Sequence, residues 1–184
     1  MQKHILFLDF DGVLHSDFDA YETPFSQVSN FCDAVRRADP NCRIDIVISS
    51  MWRLSESLDQ LRAHFPTDFH KRIVDITPDL SDFDLSPNGS RQREIELWMH
   101  EHARDGHWLA VDDRSNYFDP ACKNLFLVPD FKLMAAIDLQ MPFSLMQTIE
   151  LQEAALSQWH TEVAQLRVAL WKKLELRLLN FAVL

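Results

Sequence analysis

Apolar residues follow two rhythms along this chain. Short continuous runs at Ile5–Leu8, Ile44–Ile48 (broken only by Asp45), Trp108–Val111 and Asn124–Val128 suit strands buried on both faces of a parallel sheet. Arg72–Thr77 reads as a further short strand. Between these runs the period changes to that of a helix. Thr23-Pro24 resembles an N-cap followed by proline at the first helical position, and Phe25, Val28, Phe31, Cys32 and Val35 then recur on one face to about Arg37. Leu54, Leu58, Leu61 and Phe65 mark a second helix over Ser55–Phe65, stopped by Pro66. A third starts at Ser90 and runs to about Arg104, with Gly106 placed to end it. Residues 78–89 read as a surface loop. Strand–helix–strand order predicts right-handed crossovers and an α/β, Rossmann-like parallel sheet flanked by helices.

The pattern changes again after Met141. Leu145, Gln152, Trp159 and Leu166 alternate with Ile149, Leu156, Val163 and Leu170 at three-four spacing, and seven of these eight are apolar. A repeat held over about four heptads approaches the length expected of a coiled coil. Trp171, Leu174, Leu178 and Leu179 extend the apolar surface. Two units are therefore expected: an α/β domain over 1–141 and a long helical extension over 142–184. An uncovered stripe of that size is a solubility hazard, so the extension is expected to form a homodimer. The competing reading is one amphipathic helix packed on its own domain.

Chemistry-bearing residues gather where the apolar runs end. Asp9 and Asp11 follow the first run, separated by Phe10 and followed by Gly12; Ser49 and Ser50 follow the second; Asp112 and Asp113 follow the third. In α/β sheets ligands bind beyond the carboxyl ends of the strands, so all three pairs point to one rim. Carboxylates that close need a cation or a shared proton. A calcium loop also opens D-x-D, but Val13 and Leu14 stand where it needs an oxygen ligand and a glycine. Arg91 and Arg93 open the third helix and supply positive charge.

The run D-F-D-G-V-L at Asp9–Leu14 resembles the first signature of the haloacid dehalogenase (HAD) superfamily of phosphotransferases. I-V-I-S-S-M-W-R over Ile46–Arg53 is similar to its second, and L-A-V-D-D-R over Leu109–Arg114 to its fourth in the paired-Asp form. The S-S-x-W-R form, with Arg91-Gln92-Arg93-Glu94-Ile95-Glu96-Leu97-Trp98, resembles a bacterial HAD-domain branch associated with RNA repair proteins. This likeness spans roughly residues 3–130. It implies a HAD-like fold and a Mg²⁺-dependent phosphatase with an aspartyl-phosphate intermediate. Asp9 is then the nucleophile and Asp11 the acid and base. Ser49, with Ser50 in reserve, and Arg91 or Arg93 would bind phosphate. Asp9, Asp11, Asp112 and Asp113 form the metal set, one of the last two binding directly. His15 follows the first motif as a candidate substrate contact, and Trp52 and Arg53 are expected to brace the second motif.

Composition narrows the setting. Of 184 residues, 47% are hydrophobic, enough for a core, and the formal net charge of −10 disfavours a general nucleic-acid binder. Three cysteines without C-x-x-C spacing argue against a disulfide framework and for a reducing cytoplasm. No membrane span is expected. The intervals Ser16–Ile48 and Met51–Ser90 must also supply core helices, which implies a small or absent cap domain. An open site suits phosphorylated RNA or DNA ends, served by a local basic patch of Arg53, Lys71, Arg72, Arg91, Arg93 and Arg114. The alternatives are a small-molecule or nucleotide phosphatase and a non-catalytic phosphate-sensing or assembly module.

Overall fold

The computed structural model describes residues 3–15, 23–81, 86, 88–102, 107–129 and 153–183, with the side chains of the last helix described from 161 to 182. Five parallel strands form one sheet: β1 (His4–Leu8), β2 (Ile44–Ile48), β3 (Ile73–Ile76), β4 (Trp108–Asp112) and β5 (Leu125–Leu127), in the order β3-β2-β1-β4-β5. Leu8 stands opposite Ile48 on one side and Val111 on the other, so the three motif-bearing strands end level. The chain winds outward from β1 through β2 to β3, then returns to β4 on the far side of β1. That reversal lies between β1 and β4, the place where α/β sheets open a crevice at their carboxyl edge.

Period-two alternation sends β1 side chains to two cores. Leu6 and Leu8 join Ile46, Ile48, Phe31, Val35 and Leu61 on one face, where α1 (Val28–Ala38) and α2 (Leu58–Ala63) pack. Ile5 and Phe7 join Val47, Ala110, Ile95, Trp98 and Met99 on the other, under α3 (Ser90–Glu101). Both faces are thus covered, as the unbroken apolar runs require.

The helix boundaries differ from the pattern in instructive ways. Thr23-Pro24 does not open α1. Phe25 takes a left-handed φ of 61° within a turn that runs to Gln27, so the helix begins at Val28. The Phe25 ring is placed edge-on to Phe10 at 5.4 Å and stacked on His64 at 4.0 Å, contacts that hold a strained backbone in place. A 3₁₀ turn at Met51–Leu54 precedes α2, which starts late because Ser57 and Gln60 form a capping box. Gly89, at φ 72°, caps α3 in place of Ser90. The stop at Gly106 lies outside the described residues.

The final helix, α4 (Glu153–Val183), lies against the α1 face of the same chain. Val163, Leu170, Trp171, Leu174, Leu178, Phe181 and Ala182 form one stripe buried in that core, with Leu166 at its edge. Trp171 Nε1 donates to Gln27 Oε1 at 3.2 Å, and Arg37 pairs with Glu175 at 2.8 Å. Much of the stripe that motivated the dimer is therefore covered within the chain from Val163 to Leu178, while Leu179 stays exposed. Leu145, Ile149 and Gln152, and the boundary at 141/142, lie outside the described residues; the side chains of Leu156 and Trp159 are likewise not described. Among the described residues no helix is long and apolar enough to cross a membrane.

Candidate active site

β1 delivers Asp9 to the rim between β2 and β4, where its backbone N–H donates to Val111 O at 3.0 Å. One carboxylate oxygen accepts from the Phe10 N–H at 2.8 Å. Asp9, Asp112 and Asp113 each offer an oxygen, and the three atoms lie within 4.8 Å of one another. Two of these residues are buried. Burial pushes the Asp9 carboxyl upward, and burial together with the Asp9 charge pushes Asp112 up to about 8. Two desolvated carboxylates this close resist ionising together until positive charge joins them.

Arg91 brings some of that charge. Its side chain is buried, its Nε stands 3.7 Å from Asp112 Oδ2, and its guanidinium lies over the Tyr117 ring at 5.9 Å. Among the described residues neither Arg91 Nη1 nor Asp112 Oδ2 has a hydrogen-bond partner, although both are buried. Buried polar atoms left bare cost about 1–3 kcal/mol each, so a donor and an acceptor left open side by side mark a place where a ligand completes the site. An all-oxygen donor set suits a hard divalent cation for the carboxylates, and the guanidinium suits an oxyanion. The residues fit both groups.

Gly12 makes the close approach feasible. Its φ of 70° favours glycine, and a Cβ there would collide with the Asp113 carboxylate and stand 3.0 Å from Asp113 Cβ. Ser49 and Ser50 extend from β2, both buried, with the Ser49 N–H donating to Leu8 O at 2.9 Å. Sequence order favours the Ser49 hydroxyl. The Ser50 hydroxyl acts on the Asp9 carboxyl, and among the described residues it is buried with no hydrogen-bond partner of its own.

The other sequence-designated residues separate. Asp11 is not among the three clustered carboxylates: its Oδ1 accepts from Trp52 Nε1 at 2.9 Å and meets His15 Nε2 at 3.0 Å. These contacts, His15 first, hold its carboxyl below the usual carboxylate range. Arg93 donates to the carbonyls of Asn88 at 2.7 Å and Ser86 at 2.9 Å, bracing the loop before α3. Arg53 braces the second motif through Thr77, Ser49, Ser50 and Pro78 carbonyls and pairs with Glu94 at 2.7 Å. The anticipated basic patch therefore does not form as a surface: Arg53 is buried here, and Arg72 is buried against Asp39 at 2.8 Å. The Trp52–Asp11 contact and the role of Glu94 escape sequence reasoning, because residues 41 positions apart share no local pattern.

A doubly covered parallel sheet with acidic motifs level on its central strands has the architecture of the haloacid dehalogenase class of phosphatases and hydrolases. The family model described as "HAD domain in Swiss Army Knife RNA repair proteins" matches residues 5–133, and the chain belongs to that family. No curated protein and no solved structure matches the chain at a significant level.

Proposed function

We propose that this chain is a magnesium-dependent phosphomonoester hydrolase working through an aspartyl-phosphate on Asp9, with phosphorylated RNA ends as its substrate class. The observation that carries the reading is the pairing of the clustered Asp9, Asp112 and Asp113 carboxylates with a buried Arg91, whose Nη1 has no partner among the described residues, at the sheet's switch point. Asp9, Asp112 and Asp113 would hold Mg²⁺, which supplies charge neutralisation to the carboxylates and the incoming phosphate. Arg91 and the Ser50 hydroxyl bind the non-bridging phosphate oxygens. The Asp9 carboxylate attacks phosphorus as the ester P–O bond breaks; Asp11, ionised in the free site, takes up a proton from solvent as the negatively charged substrate arrives and gives it to the departing oxygen. Asp11 then takes a proton from water, whose oxygen attacks phosphorus, releasing inorganic phosphate and regenerating Asp9.

The RNA reading draws on the family's own description and on the topology, in which no further domain is inserted after β1 or β3 among the described residues. With Arg53 and Arg72 committed inside, the substrate is gripped by its terminal phosphate rather than along its backbone. Weak salt dependence follows, because few backbone phosphates are neutralised. The test compares 3′- and 5′-phosphorylated RNA and DNA oligonucleotides with mononucleotides, in Mg²⁺ and in EDTA. RNA ends should be preferred and EDTA should abolish turnover. Efficient mononucleotide hydrolysis without action on RNA ends would move the assignment to a nucleotide phosphatase, and activity indifferent to EDTA would remove the metal.

A further inference from the structure

Trp52 and His15 converge on Asp11 in a manner that the hydrolytic scheme leaves unused. Both reach the same oxygen, Oδ1, at 2.9 and 3.0 Å, and among the described residues no donor reaches Oδ2. The indole N–H can only donate. Among the described residues His15 Nδ1 is buried without a partner, so Nε2–H, facing an acceptor, is the donor assigned to this contact. Oδ1 therefore accepts two hydrogen bonds and has no room left to exchange a proton.

Neighbouring rings fix both donors. Trp52 sits in the turn directly after Ser50 and meets Phe25 at 5.0 Å, His64 at 5.7 Å and Phe10 at 6.4 Å. The His15 ring stands 5.1 Å from Phe25, and its backbone bridges back to Asp11. Asp11 itself is 39% exposed at its side chain and would otherwise turn freely about its terminal torsion.

We propose that Trp52 and His15 are positioning residues that clamp Asp11 by Oδ1 and reserve Oδ2 for proton transfer with the leaving group and water. The proposal rests on the phosphatase reading and on Asp11 as its acid and base. General acid catalysis contributes about 10²–10⁴-fold only where the proton is aimed at the departing oxygen.

Leaving-group dependence separates this role from a merely structural one. p-Nitrophenolate departs without a proton, whereas an alkoxide such as glycerol's needs one. For Trp52→Phe, which keeps the ring and removes the N–H, kcat/KM should fall about 10²-fold on glycerol phosphate and less than about fivefold on p-nitrophenyl phosphate. His15→Leu should show the same split. His15→Gln, whose side-chain amide can reach the place of Nε2, should recover most of the alkyl-ester activity. Equal losses on both esters, or none, would overturn the clamp while leaving the phosphatase reading intact. A wild-type protein that hydrolyses neither ester would bring down that reading, and the clamp with it.

Discussion

Arg53 and Arg91 are buried to nearly the same degree, at 6% and 4% exposure, yet they sit in opposite surroundings. Arg53 makes five hydrogen bonds, four to backbone carbonyls and one to Glu94. Its network ties the end of β2 to the strand exit at Thr77-Pro78 and to α3, and it leaves nothing for a ligand. Arg91 faces the Asp112 carboxylate beyond hydrogen-bonding range and keeps Nη1 bare. A buried charge that is fully bonded specifies the fold. One left incomplete beside two raised carboxylates is waiting for a substrate or an ion. Arg53 stands in the 3₁₀ turn after β2 and Arg91 in the first turn of α3, and with burial nearly equal the difference lies in their partners.

The largest effect belongs to the incomplete region. Asp9→Asn keeps the shape and removes the nucleophilic charge, so turnover of p-nitrophenyl phosphate should fall roughly 10⁴-fold or more while circular dichroism stays unchanged. Retained turnover would show that Asp9 is not the nucleophile.

Exchanging the arginines for methionine breaks the comparison directly. Arg91→Met should lower kcat/KM by about 10²–10³, the usual loss for a donor aimed at developing oxyanion charge. Arg53→Met should instead cost about 3–5 kcal/mol in urea unfolding, because Glu94 is left buried and uncompensated. The double variant Arg53→Met, Glu94→Met should recover much of that stability. If Arg91→Met proved the more destabilising of the two single changes, the distinction between the regions would fail.

Much of the site is legible in the sequence. The Asp9-x-Asp11-Gly12 turn, the Ser49-Ser50 strand end and the Asp112-Asp113 pair all follow runs whose burial fixes their strand direction, so their convergence on one rim follows from topology. The parallel sheet with its helical layers and the family resemblance were legible in the same way. What escaped depends on long-range packing. Helical spacing puts Arg91 on the face of Ile95 and Trp98 and Arg93 on that of Leu97 and His100, but does not say what each guanidinium meets; the first lies over the Tyr117 ring and the second braces carbonyls in its own loop. Three-four spacing in α4 defines an apolar face but not what covers it, and residues from Val163 onward turned that face to α1. Phe25 sits at helical spacing yet takes a left-handed backbone, because its ring serves the cluster around Trp52.

Metal and pH should sharpen the picture next. Asp112 is raised to about 8 in the folded chain, from an unfolded value near 3.8, so the metal-free fold binds the extra proton between those limits. Its stabilising contribution is complete below about pH 4 and declines as pH rises toward about 8. Mg²⁺ needs the ionised carboxylates and competes with that proton. The rise in melting temperature produced by Mg²⁺ should therefore be larger near pH 8 than near pH 5.5, and Asp112→Asn should flatten both trends. A Mg²⁺ shift that is absent, or larger in acid, would argue against a metal held by Asp9, Asp112 and Asp113.

The smallest effect is the most discriminating between two residues that both stand as phosphate-binding candidates in the sequence. Arg93 lies two positions from Arg91 on α3, but its guanidinium holds the Asn88 and Ser86 carbonyls on an exposed loop. Solvent competes for such contacts, which are worth about 0–1 kcal/mol, or less than about fivefold in an equilibrium constant. Arg93→Gln keeps a donor for the same loop and should leave kcat/KM for p-nitrophenyl phosphate within about fivefold of the parent. That loss is at least an order of magnitude smaller than the one expected for Arg91→Met. Steady-state kinetics on the two variants, measured side by side, decides between them. A collapse in the Arg93 variant equal to that at Arg91 would mean that phosphate recruits both arginines, and that the loop before α3 rearranges when substrate binds.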